Sequence, residues 1–198
     1  MSNANDDNDV NINNGIINKC WTVQTESIIK EWCDIGKCYT WMHYHSYCYY
    51  HFINLCFQIP ITILSTIIGS ISFLSNVHRV NIITGSINIS IGAMSAVYGF
   101  LRISQLTEQH RTSSLHWDKF QRNLEIVLST EKKDRMNATN FFSINLDQYN
   151  QLITTSPFIP SRIINKFDIV FKDIKIHKPD ICMPQRQPHL YQTETIPV

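Results

Sequence analysis

His43, His45, Cys48 and His51 fall within the run YTWMHYHSYCYYH, residues 39–51. Imidazoles and thiols are the side chains that hold zinc or move protons near neutral pH. His45 and Cys48, three apart, can share one face of a helix. A closed zinc centre commonly takes two such pairs, however, and no second pair at that spacing follows. No metal is therefore expected, and these rings are read as side chains that tolerate both water and lipid. The cysteines, Cys20, Cys33, Cys38, Cys48, Cys56 and Cys182, show no CxxC spacing. In a helical, membrane-proximal setting they are expected as free thiols rather than as a disulfide framework.

His110, Asp118 and Glu125 are types found in catalytic groups, but their spacing demands no chemistry. His110, near the membrane, reads better as a packing or interfacial residue than as a base. The chain carries no Gly-rich phosphate loop, no HExxH and no G-x-S-x-G elbow. No catalytic residue and no cofactor is expected. A formal net charge of +1 over 198 residues gives no long-range field to steer an acidic ligand, and no nucleic-acid partner is expected.

The elements that place these residues are set by where charge is missing. From His51 to Asn76, and again from Val80 to Leu101, there is no Asp, Glu, Lys or Arg. About 20 apolar residues at 1.5 Å each cross a ~30 Å hydrocarbon core. Residues 51–74 and 80–101 are each long enough, and the short turn Ser75-Asn76-Val77-His78-Arg79 makes them an antiparallel hairpin. Pro60 is expected to bend the first span, as membrane helices tolerate. The competing reading is a hairpin buried in a soluble helical domain.

The fold class is all-α: a two-transmembrane hairpin whose long helices extend into a cytoplasmic helical bundle. Residues 1–20 form a polar arm too poor in large side chains to pack. Domain 21–174 follows, with helices over 24–50, 102–132, 145–155 and 161–174, and the proline-punctuated tail 175–198 is irregular. Thr25 is expected to cap the first helix, and Gly36 is a weak point within it. Leu106, His110, Leu115, Trp117, Phe120, Leu124 and Leu128 form an apolar stripe on a helix that continues directly from the second span.

Lys30, Lys37, Arg102, Arg111, Lys119 and Arg122 flank the outer ends of the hairpin, against Arg79 alone in the turn. The positive-inside rule then puts both termini in the cytoplasm. Asn137-Ala138-Thr139 is a glycosylation pattern that would carry sugar only in the reverse orientation. Tyr39, Trp41, Tyr44, Tyr47, Tyr49 and Tyr50 are expected at the headgroup level. Thr62, Ser65 and Gly69 on the first span, and Gly85, Asn88, Gly92, Ala96 and Gly99 on the second, form small, polar faces. They either pack helices closely or line a conduit in an oligomer. Packing is favoured, because no charged ring is present to select ions.

This order of elements resembles the SLATT group, two-transmembrane proteins associated with nucleotide-sensing systems in bacteria, with divergent relatives in large DNA viruses. The resemblance covers roughly residues 24–172. It rests on the long helix leading into the first span, the very short turn, and the second span followed by SQLTEQHRTSSLHWDKFQRNLEIVLS. His110, Trp117 and Leu124 stand where the group's His, aromatic and aliphatic positions are expected. YNQLITTSPFIPSRIINKF, residues 149–167, resembles the viral branch. The frequent Ile and Asn, with AT-rich codons, agree with such a source. The resemblance implies an oligomeric, pore-forming or membrane-perturbing protein. For viral relatives it implies a virion membrane protein, with the lipid bilayer, its own copies and capsid proteins as partners.

Overall fold

The computed structural model describes residues 21–74 and 78–182. The polar arm, Cys20, residues 75–77 of the turn and the tail from 183 onward lie outside the described residues. Among the described residues the fold is all-α, with no strand: α1 (Val23–Leu74), α2 (His78–Leu101), α3 (Ile103–Ser129), α4 (Ala138–Thr155) and α5 (Ser161–Val170). Two short 3-10 turns, Lys132–Asp134 and Asp180–Cys182, complete it.

α1 runs 52 residues without interruption, about 78 Å at 1.5 Å per residue. Its continuity has a sequence cause. Buried or half-buried residues recur every three or four positions at Ile29, Cys33, Gly36, Thr40, His43, Tyr47, Tyr50, Asn54, Phe57, Ile61 and Ile68, missing one beat at Leu64. That is a single heptad seam, crossing from the polar half of the helix into the apolar half. Helical structure persists through Pro60. The N-terminus of α1 is capped by Thr22, whose Oγ1 accepts the Thr25 N–H at 3.1 Å; the expected cap, Thr25, sits in the first turn, because a capping side chain precedes the amide it takes by two or three residues.

The returning arm of the hairpin answers this seam in two helices. On α2 the sheltered positions are Thr84, Ile87, Ile91, Ser95 and Tyr98; on α3 they are Ile103, Thr107, His110, Ser114, Trp117, Gln121 and Leu124. The step from Tyr98 to Ile103 is five residues rather than three or four, so an unbroken helix would turn one stripe away from α1. The chain corrects the phase at Arg102, a single left-handed residue with φ 48° and ψ 36°. Its amide donates to Gly99 O at 3.3 Å, and its carbonyl accepts from Leu106 N at 3.0 Å. The expected direct run from the second span into the next helix is therefore interrupted at Arg102, because the two stripes are out of register.

Below this junction α3, α4 and α5 close around the first half of α1. Trp117, Phe120 and Phe167 are fully buried with Ile29, Met42 and Leu124. Gly36 lies at the contact with α3: a Cβ there would lie 3.0 Å from Gln121 Cβ. The helix runs through it without a break. α4 begins at Ala138 rather than 145, because Asn137 Oδ1 caps it by accepting the Thr139 N–H at 2.9 Å. α5 ends at Val170, short of 174.

The loop into α4 is fastened to the start of α1 by Arg135, whose side chain is 6% exposed. Its Nη1 donates to Glu26 Oε1 at 2.6 Å, its Nε to Thr130 O and its Nη2 to Leu128 O, both at 2.9 Å. The guanidinium lies 4.9 Å from the Trp21 ring centroid. Arg135, and then Lys132, hold the Glu26 carboxyl below its ordinary pKa.

Candidate functional site

The most unusual chemistry in the molecule lies where the two arms of the hairpin leave the apolar segments. His43 is on the α1 seam eight residues before His51, and His110 is on the α3 seam nine residues after Leu101. Both are wholly buried. Their Nδ1 atoms are 3.0 Å apart, a normal hydrogen-bond length. One ring must donate and the other accept. In a neutral imidazole only one nitrogen carries hydrogen, so the donor ring has a bare Nε2 and the acceptor ring an Nε2–H. Both Nε2 atoms are buried without a hydrogen-bond partner. The pair thus holds one unmatched acceptor and one unmatched donor in the seam.

Aromatic rings shield it. Tyr50 stacks on His110 with centroids 5.4 Å apart and planes 14° from parallel; Tyr39 lies 6.2 Å from His43 and 4.6 Å from Trp117. The neighbouring seam hydroxyls turn back on backbone. Ser46 donates to Met42 O, Thr107 to Ile103 O and Ser114 to Thr40 O. Burial, and then the neighbouring His110, push the His43 pKa down to about 3. Burial takes His110 to about 4. Both rings are neutral at neutral pH and present no base to solvent. Such a pair joins the two arms as an uncharged latch.

The other expected site residues divide. His110, Trp117 and Leu124 are all fully buried on the α3 seam. His45 bonds Trp41 O through Nδ1 at 3.0 Å, while Cys48 and His51 are exposed. The cluster that invited a metal is therefore dispersed, and among the described residues no three His, Cys, Asp or Glu side chains could hold one ion. Tyr39 is buried in the bundle core, stacked on Trp117. Trp41 is partly buried against Phe167 and Phe171. Tyr44 is 54% exposed. Tyr47, Tyr49 and Tyr50 are half-buried just before the first apolar segment, with Arg162 over the Tyr49 ring.

Two helices are long and apolar enough to cross a membrane. Only 6% of the most apolar window of the first and 11% of that of the second is buried within the chain. A hairpin in a soluble core would be mostly covered. Ile63, Ile83, Ile89 and Phe100 all face outward. The small faces also look away from the partner helix: Thr62, Ser65, Gly69, Asn88, Gly92, Ala96 and Gly99 are exposed and Gly85 is half-exposed. A Cβ at Gly69, Gly85, Gly92 or Gly99 would meet nothing within 4 Å. Packing within the hairpin, expected to use most of this surface, leaves it open. The seam instead uses Thr84, Ile87, Ile91, Ser95 and Tyr98, one position out of phase. Tyr98 donates its hydroxyl to Asn54 Oδ1 across the hairpin, a tie the spacing of Asn54 on the α1 seam could have revealed.

Comparisons with family models, with curated proteins and with solved structures gave no match.

Proposed function

We propose that the chain is a two-pass integral membrane protein, without catalytic activity, that self-associates in the bilayer and perturbs or permeabilises it. The observation that carries this reading is the outward apolar surface of α1 and α2, which the other described residues leave uncovered. Apolar side chains in such an array cost free energy in water and none in lipid. Because α1 and α3 pack along their length, both arms of the hairpin lie on one side, and the excess of Lys and Arg there favours the cytoplasmic side. The open stripe of Gly85, Asn88, Gly92, Ala96 and Gly99 supports association, since small residues let backbones of neighbouring copies approach. The SLATT resemblance adds the effector role.

A second reading is an anchor for a virion or capsid scaffold, without conductance. It is favoured by the hydroxyls of the spans: Thr62, Thr66, Ser70, Thr84, Ser86 and Ser90 each donate to a carbonyl three or four residues back in their own helix. Hydroxyls satisfied in this way are not held ready to line water. Sizing in detergent together with flux from loaded liposomes separates the two. An oligomer whose leakage is abolished by Gly92→Leu or Asn88→Leu supports the membrane-perturbing role; an oligomer that leaves liposomes intact supports the anchor. A monomer at every concentration removes the association.

A further inference from the structure

α5 lies along α1 just before the apolar segment begins. Arg162, in its first turn, sits over the Tyr49 ring at 5.6 Å, and Lys166, four residues on, sits over the Trp41 ring at 5.8 Å. Phe171, just past its end, packs edge-on against Trp41. α5 therefore runs back along α1, with its first turn nearest the segment that enters lipid. The plainest account is that two cations over two aromatic faces fasten α5 in place.

Three observations go beyond fastening. A groove of about 600 Å³ remains open between the two helices, lined in part by His45, Tyr49, Arg162, Lys166, Ile169 and Val170, and no Asp or Glu among the described residues lines it. Its cations are also unmatched. Lys37, Arg111, Arg122 and Arg135 each meet a carboxylate, whereas Arg162 and Lys166 meet none among the described residues. Asp168, the one acid of α5, turns to Lys178 instead. The groove, finally, is continuous with the first span. His45, Tyr49, Phe52, Leu55 and Ile59 follow at three- and four-residue steps on one face of α1, and Phe52, Leu55 and Ile59 are 68%, 40% and 49% exposed. We propose that this groove holds one acidic phospholipid, with its phosphate on the Arg162 guanidinium and its chains along Phe52, Leu55 and Ile59.

Charge and position select the occupant. A guanidinium presents paired N–H donors that match phosphate oxygens. Tyr49 stands two residues before His51, ~3 Å along the helix, within a headgroup layer ~5–7 Å thick. Lys166, one turn further from the bilayer, adds a second positive charge. A headgroup of net negative charge is therefore favoured over choline, whose own ammonium would meet both cations. Lipid is concentrated where the groove opens, and only a lipid also covers the apolar stripe below it. The site rests on the two-pass membrane reading and names the lipid class that the hairpin engages.

The test uses the full-length protein in detergent, offered phosphatidylglycerol or phosphatidylcholine of the same chains and weighed by native mass spectrometry. One phosphatidylglycerol should be retained, more tightly than phosphatidylcholine. Arg162→Gln and Lys166→Gln should each weaken it about fivefold. Lys30→Gln/Lys133→Gln, which removes two charges elsewhere, should leave it unchanged. Glycerol phosphate, a headgroup without chains, should not displace it. In the wild type, where no fold is disturbed, phosphatidylglycerol with a photoreactive headgroup should crosslink to residues 45–49 or 162–170. Equal retention of the two lipids, equal weakening by Lys30→Gln/Lys133→Gln, displacement by glycerol phosphate, or crosslinks confined to other segments would overturn the site. Flotation with phosphatidylcholine vesicles reports the membrane reading separately. A protein that floats but shows no lipid preference loses the site alone, and one that does not float loses both.

Discussion

Tyr98 of α2 and Asn54 of α1 are joined by a side-chain hydrogen bond near the end of the hairpin that meets the bundle. Phe57 packs beside it, its ring centroid 6.3 Å from that of Tyr98. In lipid no water competes for either group. Tyr98→Phe keeps the ring and removes the donor, so it should destabilise the hairpin by about 0.6–1.7 kcal/mol. Thermal unfolding in detergent checks this, and an unchanged midpoint would mean the contact contributes nothing.

The histidine latch predicts a pH dependence with a definite sign. The folded rings take protons only near pH 3 for His43 and pH 4 for His110, whereas unfolded histidine does so near ~6.5. Between those values the unfolded chain binds more protons, so stability falls as pH falls below about 6.5. The slope should reach ~1.4 kcal/mol per pH unit for each ring. The double variant His43→Leu/His110→Leu should flatten the melting temperature between about pH 6.5 and 5, and an unaltered slope would place the dependence elsewhere.

Gly36 should tolerate no large side chain. The Gln121 Cβ already lies 3.0 Å from where a Cβ would be, so Gly36→Val should cost ~1–3 kcal/mol by overpacking. Gly36→Ala should cost less, since alanine regains ~1 kcal/mol of helix propensity. Melting temperatures in one detergent rank the three proteins.

Arg102 holds a left-handed conformation that costs an L-residue ~1–2 kcal/mol and glycine almost nothing. Arg102→Gly should therefore raise the melting temperature. A fall would show that the arginine side chain stabilises the junction by more than its backbone costs.

The apolar segments were legible in the sequence because charge exclusion over 51–76 and 80–101 is a property of composition alone. Register was harder to read. Proximity in sequence groups His43 with His45, Cys48 and His51, whereas the three-and-four spacing from Ile29 to Ile68 sets it apart and aims it at His110 of α3. Tyr39 and Tyr44 flank that seam on opposite sides, and it is Tyr39 that packs in the bundle core while Tyr44 is exposed. Arg102 leaves no local signal, since nothing in its residue type asks for a left-handed turn; only the five-residue step between Tyr98 and Ile103 betrays it. Asn137 stands out in the sequence only through a glycosylation pattern that would carry sugar in the reverse orientation, while its shorter-range role is to cap α4. The Arg135–Glu26 tie joins two segments that no periodicity connects.

The membrane reading is tested most directly by two cysteines. Cys48 and Cys56 are both free and exposed among the described residues, one before the apolar segment and one inside it. In vesicles with the bundle facing outward, a membrane-impermeant maleimide should label Cys48 and leave Cys56 unlabelled until the bilayer is dissolved. Equal labelling of the two thiols in intact vesicles would contradict a helix that crosses lipid at residues 51–74.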